Sequence, residues 1–412
     1  MMKKLKSYLD KFVRLIQRVK RNMVRAYKCM TYPCYEYTNL ESASEEIPEK
    51  VKLLPFASLQ SFYQLPTYYP NVASLSKEGF EVTVKRALIH NARCFVYSDL
   101  IVLPNDKIIN ELKDVEYYRD KVDFTDEIIL RDKETSCQLN TKNINETQKI
   151  PSAIKIGGMF GFNYYHFVYQ LLTRLNYTND IDSSVPLLLD ASARDIPTLK
   201  QLVELTNVQK REILYLDYEC CYEVGDLYYI TSPNIIAPNI KSKKFDLGKM
   251  AAFTSEGLAY LRDALLPHKS TIQTPEYVFI ARRKATKRRG YNEQECGETL
   301  KKLGFEEVYP ETLTLAEQIA VFNNAKIIVG ATGAAFTNLI FCSNKTNVVI
   351  LSNYKVGFPY FSSIASFVGS RLIYLYDKKL GEVPNYKTSY AHEAFHVDVK
   401  DLKELVSKII TE

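Results

Sequence analysis

The apolar positions of this chain change their period along its length, and each period predicts a different architecture. From about Glu81 to Leu139 they form short runs, EVTV, RCFVYSDLIVL and EIIL, parted by charged or Asn/Asp turns, which predicts antiparallel or mixed strands. At Ala153 the pattern becomes an alternation: AIKIGG, helical spacing through Phe167, Leu171 and Leu175, PLLL closed by Asp190, a helix from Ile196 to Thr206, then EILYL. A second alternation follows the polar stretch Asn239 to Lys249. It predicts a helix Thr254–Leu265, strand YVFIA, helix Glu293–Leu303, strand FEEVY, helix Leu315–Asn324, strand KIIVG, a glycine turn with a helix, strand NVVIL, a helical segment near Phe361–Val368 and strand RLIYLY. Strand and helix in turn are the signature of parallel sheets covered on both faces. The closing DVKDLKELVSKII predicts an amphipathic helix with Asp401 as its N-cap.

At 412 residues the chain exceeds one ordinary core, and 46% apolar with 25% charged residues is the composition of a soluble globular protein. The expected divisions are a basic helix over 1–32, an N-terminal domain over 33–245 (strand-rich over 80–150, α/β over 151–245), a second α/β domain over 246–397, and a C-terminal helix over 398–412. Pro33 to Pro55, with Glu41, Glu45, Glu46 and Glu49, reads as linker or irregular structure. No apolar run is long enough to span a membrane, and the basic start lacks an apolar core and a small-residue cleavage site, so export is not expected. Eight scattered cysteines without C-x-x-C or zinc spacing fit a reducing cytoplasm, where the sequons at Asn145, Asn176 and Asn344 carry no meaning.

Charge changes this picture. Residues 1 to 30 hold ten Lys or Arg against Asp10, or +9 of a net +6, which leaves −3 for the remainder. Leu5, Leu9, Phe12, Ile16, Val19, Met23 and Tyr27 form one stripe of that head. Such a helix suits an anionic bilayer interface, which predicts a peripheral protein on the inner face of the membrane, with a packed or partner-binding helix as the alternative. A body of net −3 does not predict nucleic-acid binding.

The candidate chemistry sits at two strand ends. YVFIARRKATKRR (Tyr277–Arg289) empties an apolar strand into Arg282, Arg283, Lys284, Lys287, Arg288 and Arg289, and KIIVGATGAAFTNLIF (Lys326–Phe341) empties another into a glycine turn. Thr332, Gly333 and Ala334 there offer a hydroxyl and helix-start N–H groups, and guanidinium forks suit a diphosphate. A solvated basic loop and a small-residue packing turn are the bland readings of the same residues. Gly330-Ala-Thr-Gly333 fits neither G-x-G-x-x-G nor a P-loop, so a nicotinamide cofactor is not predicted. His392-Glu-Ala-Phe-His396 matches H-E-x-x-H but lacks a third His downstream, and Asp180-Ile-Asp182 precedes a strand instead of following one, so no metal is predicted at either.

In order, ARRKATKRRGYNEQE, GFEEVYPETLTLAEQIAVFNNAKIIVGATGAAFTNLIF and the upstream GFNYYHFVYQLLTRL resemble glycosyltransferase family 61, over about Ala153 to Leu351. The resemblance implies a GT-B fold, two doubly wound Rossmann-like domains facing across a cleft, and inverting transfer from a nucleoside diphosphate sugar to a glycan acceptor. Bacterial capsule and lipopolysaccharide enzymes belong to that family. It implies further that residues 33–245 are the acceptor side and 246–397 the nucleotide-sugar side, with no metal or cofactor. Donor contacts would come from Arg282, Arg288, Arg289, Thr332, Gly333, Ala334 and Asn338, with Glu311 and Gln318 on ribose or sugar hydroxyls. Gly161, Asn163, Tyr165 and Arg174 would lie on the acceptor side. Many members carry His where this chain has Thr332, and Thr cannot take a proton at neutral pH, so the base is expected across the cleft. His166 is the first candidate and Asp190 the second. Phosphate contact and a structural role remain open for His166. A non-catalytic nucleotide-binding scaffold and a pyruvyltransferase-like enzyme are the competing functions, and the oligomeric state is open.

Overall fold

The computed structural model describes residues 32–71, 77–111, 126, 128–237, 246–282, 290–355, 358–381 and 393–412. The stripe from Leu5 to Tyr27 lies outside them, as do Arg288 and Arg289.

The first half is built on one mixed sheet of eleven strands. Within it β1 (Arg86–Cys94), β2 (Glu146–Lys155), β3 (Leu187–Asp190), β4 (Ile213–Leu216) and β5 (Cys220–Ile230) lie in the order β1-β5-β2-β3-β4. Strands β2, β3 and β4 are parallel, as their pattern predicts, and β5 runs parallel to β2 and antiparallel to β1. Here the expected Rossmann-like unit needs correction. Only Asp217, Tyr218 and Glu219 separate β4 from β5, too short a link for a crossover helix, and beyond β1 the sheet continues into the strand-rich segment. Between β2 and β3 the predicted helix is irregular: a helical turn Tyr164–His166, a π-helical turn Phe167–Leu171 and a 3₁₀ turn Leu172–Tyr177. Helix α1 (Pro197–Thr206) crosses from β3 to β4.

After helix α2 (Ser255–Leu265) comes the expected doubly wound sheet: β6 (Tyr277–Ile280), β7 (Glu306–Val308), β8 (Ile327–Ala331), β9 (Asn347–Ser352) and β10 (Arg371–Tyr376). All are parallel in the order β7-β6-β8-β9-β10, and Thr67–Tyr68 adds a sixth parallel strand beside β10. Side-chain alternation divides the sheet between two cores. Val278, Ile280, Ile328, Val348, Ile350 and Leu372 face the layer holding α4 (Leu315–Asn324), a 3₁₀ helix Ala334–Phe341 and α5 (Tyr360–Val368). Phe279, Ile327, Val329, Val349, Leu351 and Leu375 face α3 (Glu293–Lys301) and α6 (Val399–Thr411). Asp398 caps α6, accepting from the N–H groups of Lys400 and Asp401, while the Asp401 carboxylate is taken by Lys378; the cap is therefore not Asp401.

Packing ignores the chain division expected at 245/246. Ile154, Phe167, Tyr169 and Leu189 of the first half share one cluster with Ile280, Phe336 and Ile364 of the second. Each such fully buried side chain contributes about 1.5–3 kcal/mol, so the two halves stabilise each other. Among the described residues no helix is long and apolar enough to cross a membrane, and none of the seven described cysteines is in a disulfide.

Candidate active site

Numbered within its own unit, the second sheet has strand order 2-1-3-4-5, which places the topological switch between β6 and β8. The chain leaves β6 toward α3 on one face and leaves β8 toward the 3₁₀ helix on the other, so a crevice opens between their carboxyl ends. Gly330 lets the strands close up behind it: a Cβ there would lie 2.9 Å from the Ile280 Cβ and 3.2 Å from the Phe336 ring.

Arg282 and the glycine turn meet in this crevice. The Arg282 Nη2 donates to the Thr332 carbonyl at 2.7 Å and the Ala331 carbonyl at 3.4 Å, and its guanidinium lies 5.9 Å from the Tyr291 ring centroid. The Arg282 backbone N–H donates to Glu293, whose pKa burial pushes up and the neighbouring Arg282 pulls down. Thr332 still behaves as strand, donating its N–H to the Leu351 carbonyl at 2.8 Å. Gly333 is extended, not left-handed, and its hydrogen makes room: a Cβ would reach 3.3 Å from the Arg282 Nη2. Ala334 is exposed and opens the 3₁₀ helix, whose first N–H groups have no acceptor within the helix. Glu311 is exposed in the turn after β7, at the same edge, and its charge acts on Glu293.

Gln318, expected at donor hydroxyls, and Asn338, expected among the donor contacts, are buried in structural roles. Asn338 is fully buried; its Nδ2 donates to the Gln318 Oε1 at 2.8 Å, and its Oδ1 accepts from the Tyr164 hydroxyl at 2.7 Å. Gln318 in turn donates to the Leu313 carbonyl at 3.2 Å. The chain of bonds joins α4, the 3₁₀ helix and the Tyr164–His166 turn, so it holds the two halves in register. Tyr165 is likewise packed inward, its ring against Tyr169, Tyr360 and Phe361 and its hydroxyl buried without a hydrogen-bond partner. Asn163 is exposed and caps the turn, accepting from the Tyr165 N–H at 3.0 Å.

His166 is half-buried, with the Phe160 ring 4.8 Å from its own. Burial lowers its pKa, opposed by Gln170 and by the charge of Asp99. Gln170 donates its Nε2 to the Ile236 carbonyl at 3.3 Å, which orients its Oε1 toward the His166 Nδ1. An amide oxygen only accepts, so Nδ1 carries the imidazole proton and Nε2 keeps the lone pair. A neutral ring with a free basic nitrogen is the state a general base requires.

Asp190 is completely buried, and its two oxygens accept from the N–H groups of Tyr97 (2.7 Å) and Gly158 (2.8 Å). Burial raises its pKa to about 6, against the attraction of Lys155, itself fully buried and donating to the Gly157 carbonyl at 2.9 Å. Enclosed in this way it positions the loop and cannot reach an acceptor, which removes it as a base. Gly157, Gly158 and Gly161 are glycines because the loop wraps carboxylates: added Cβ atoms would lie 2.9 Å from Asp190, 2.3 Å from Asp99 and 2.4 Å from Asp190 respectively. Arg174, buried, clamps the same loop through the carbonyls of Ile156 and Gly157 and pairs with Asp99 at 2.8 Å. The sequence reading missed Asp99, Tyr97 and Gln170; only the GGMFG spacing hinted that something approaches the loop closely.

The motifs set aside on the sequence stay outside the site. Residues 393–396 of the H-E-x-x-H segment form no helix; His396 donates its backbone N–H to Asp377, and His392 lies outside the described residues. Asp180 pairs with Arg86, and Asp182 accepts from Ser184. Among the described residues no three His, Cys, Asp or Glu side chains cluster as metal ligands.

No curated protein matches this chain. Residues 164–349, which carry His166, Arg174, Arg282 and the glycine turn, match the family model described as Glycosyltransferase 61, and the match supports a glycosyltransferase of that family.

Proposed function

We propose that this chain is an inverting glycosyltransferase of GT-B type. In this reading it moves a sugar from a nucleoside diphosphate donor to a glycan acceptor in surface polysaccharide synthesis, at the inner face of a membrane held by its basic head. The observation that carries the reading is Arg282 bonded to the glycine turn at the switch point of a parallel sheet, inside the family match. The donor diphosphate lies over the Thr332 to Ala334 turn, where the positive charge of the Arg282 guanidinium and the helix-start N–H groups meet its oxygens. Fixed positive groups aimed at a leaving oxygen lower such a barrier by roughly several kcal/mol without a metal. The acceptor hydroxyl attacks the anomeric carbon from the opposite face. Its proton passes to the His166 Nε2, the new C–O bond forms as the bond to the diphosphate breaks, and the diphosphate leaves with that electron pair. Glu311, exposed at the same edge, is assigned to donor hydroxyls.

Thermal shift with UDP and GDP, and with CMP as a monophosphate contrast, followed by measurement of nucleotide release from the corresponding donor sugars, tests this. Stabilisation by one diphosphate and release from its donor are expected; a shift with neither diphosphate sinks the reading, and binding without release leaves a scaffold instead of an enzyme.

A further inference from the structure

A cavity of about 260 Å³ lies beside the His166–Gln170 pair, within the first half of the chain. Its walls come from the strand Glu81–Val84, the segment after β1, the glycine loop after β2, the end of β5, and the helical turns that carry Gln170 and Arg174. Three carboxylates line it, Asp99, Glu111 and Asp126, together with two cations, Lys85 and Arg174. Both cations are already matched: the Lys85 Nζ lies 2.7 Å from Glu111 and 2.9 Å from Glu41, and Arg174 pairs with Asp99 at 2.8 Å. A phosphate would therefore meet three carboxylates and no uncompensated cation. Nor do the carboxylates suit a metal, since among the described residues no three His, Cys, Asp or Glu side chains cluster as ligands. Such a lining satisfies neutral groups that both donate and accept, because hydroxyls give hydrogen bonds to carboxylate oxygens and take them from N–H groups. Arg174 is a second, independent sign of a ligand. It is only 6% exposed, it lines the cavity, and its Nε has no hydrogen-bond partner, which native interiors rarely tolerate. Leu100, Met159 and Ile235 add apolar surface on which the C–H face of a sugar ring packs.

We propose that this cavity is a subsite for one neutral pyranose unit of the glycan acceptor, the unit behind the one that reacts. The inference rests on the glycosyltransferase reading. At about 260 Å³ the cavity falls below the roughly 300–1,000 Å³ of sites for drug-sized ligands, so it takes a single ring and not a nucleotide. Gln170 is shared, lining the cavity and facing the His166 Nδ1. It stands between the occupant and the imidazole, so the ring in the cavity is not the attacking one. An occupant there anchors the acceptor and steadies the amide that sets the His166 tautomer.

Saturation-transfer NMR on the full chain tests it, with the methyl glycosides of glucose, galactose, mannose and N-acetylglucosamine as probes. Glucuronate and glucosamine serve as charged contrasts, and UDP reports on the donor site. Saturation is expected to pass to at least one neutral glycoside, more than to either charged sugar, and excess UDP leaves that signal in place. Thr83 is exposed on the strand that borders the cavity, where a large aromatic side chain suits the backbone. Thr83→Trp is expected to weaken glycoside binding at least about tenfold with the melting temperature and UDP signal unchanged, and Thr83→Ser to retain it. Met159→Ala, which removes apolar wall without touching the charged pairs, decides the question should the tryptophan disturb folding. If UDP binds while no neutral glycoside does, if a charged sugar binds better, if UDP displaces the glycoside, or if the folded variant binds it as wild type does, the subsite is overturned and the donor site stands. If UDP itself fails to bind, the fault lies with the glycosyltransferase reading.

Discussion

Replacing Gly161 by alanine tests the arrangement beneath His166 most directly. A methyl group there would sit 2.4 Å from the Asp190 Oδ2 and 3.2 Å from the Gly158 carbonyl. Asp190 is completely buried, and the same oxygen accepts the Gly158 N–H at 2.8 Å, so it cannot retreat without stretching that bond. Overpacking of this kind costs about 1–3 kcal/mol. Weakening a hydrogen bond to a charged group costs up to roughly 1.5–3 kcal/mol more. Against these, alanine restricts the unfolded chain and returns only about 0.4–1 kcal/mol. The net expectation is a loss of about 2–4 kcal/mol, seen as a fall of several degrees in the thermal midpoint. Because His166 follows on the segment that Gly161 leads into, turnover falls as well. Adding Asp190→Ala removes the clashing oxygen, so the double variant is less destabilised than the sum of the singles by about 1 kcal/mol or more. A Gly161→Ala protein with wild-type stability, or strict additivity in the cycle, would refute the wrapped-carboxylate account. Gly333→Ala is the contrast: its methyl would press on the end of the long Arg282 side chain at 3.3 Å and meet the Ala331 carbonyl only at an ordinary 3.8 Å, so stability changes little while displacement of the guanidinium lowers nucleotide affinity.

His166→Ala is expected to lower kcat by about two to four orders of magnitude; because burial lowers the pKa of His166, the ring stays neutral to a more acidic pH than a free His, so the acid limb of the wild-type rate profile falls below the ordinary His range. Wild-type-like turnover in that variant removes the base assignment. Arg282→Ala should weaken nucleoside diphosphate binding by about 1.5–3 kcal/mol in calorimetry, and Arg282→Lys should recover only part, since a point charge cannot both bridge the turn and face a phosphate. Asp126, buried and raised to about 7 by burial with Asp99 adding to the shift, gives a stability signature. Its folded pKa lies above the unfolded value, so its contribution is complete below about pH 4 and lost as pH rises through about 7, by up to roughly 4 kcal/mol. Urea midpoints of wild type and Asp126→Asn from pH 4 to 8 should therefore show the wild-type advantage shrinking with pH; a constant or growing gap refutes it.

What was legible in the sequence follows the range of the interactions. Strands β6, β8, β9 and β10 and helices α4 and α5 are local patterns, and the switch point joins two of the strands read directly from their apolar runs. Gln318 was open to a better reading: it lies three residues after Leu315 and four before Phe322, on the apolar stripe of α4, where a polar side chain must find a buried partner. Asn338 sits in the apolar run AAFTNLIF and obeys the same rule. The network under His166 had no comparable signal. Asp190 meets Tyr97 at a separation of 93 residues, and Arg174 meets Asp99 at 75. Neither Asp99 nor Tyr97 stands in any pattern of its own. Only the folded sheet, by placing β1 and β3 so that the segments after them converge on the loop after β2, turns a strand-ending aspartate into an anchor. The Thr332 departure, legible in one residue, moved the search for a base to this loop. The loop's burial then divides the two candidates: the carboxylate that holds the loop is enclosed by it, and the imidazole that the loop carries is left half-exposed with a lone pair.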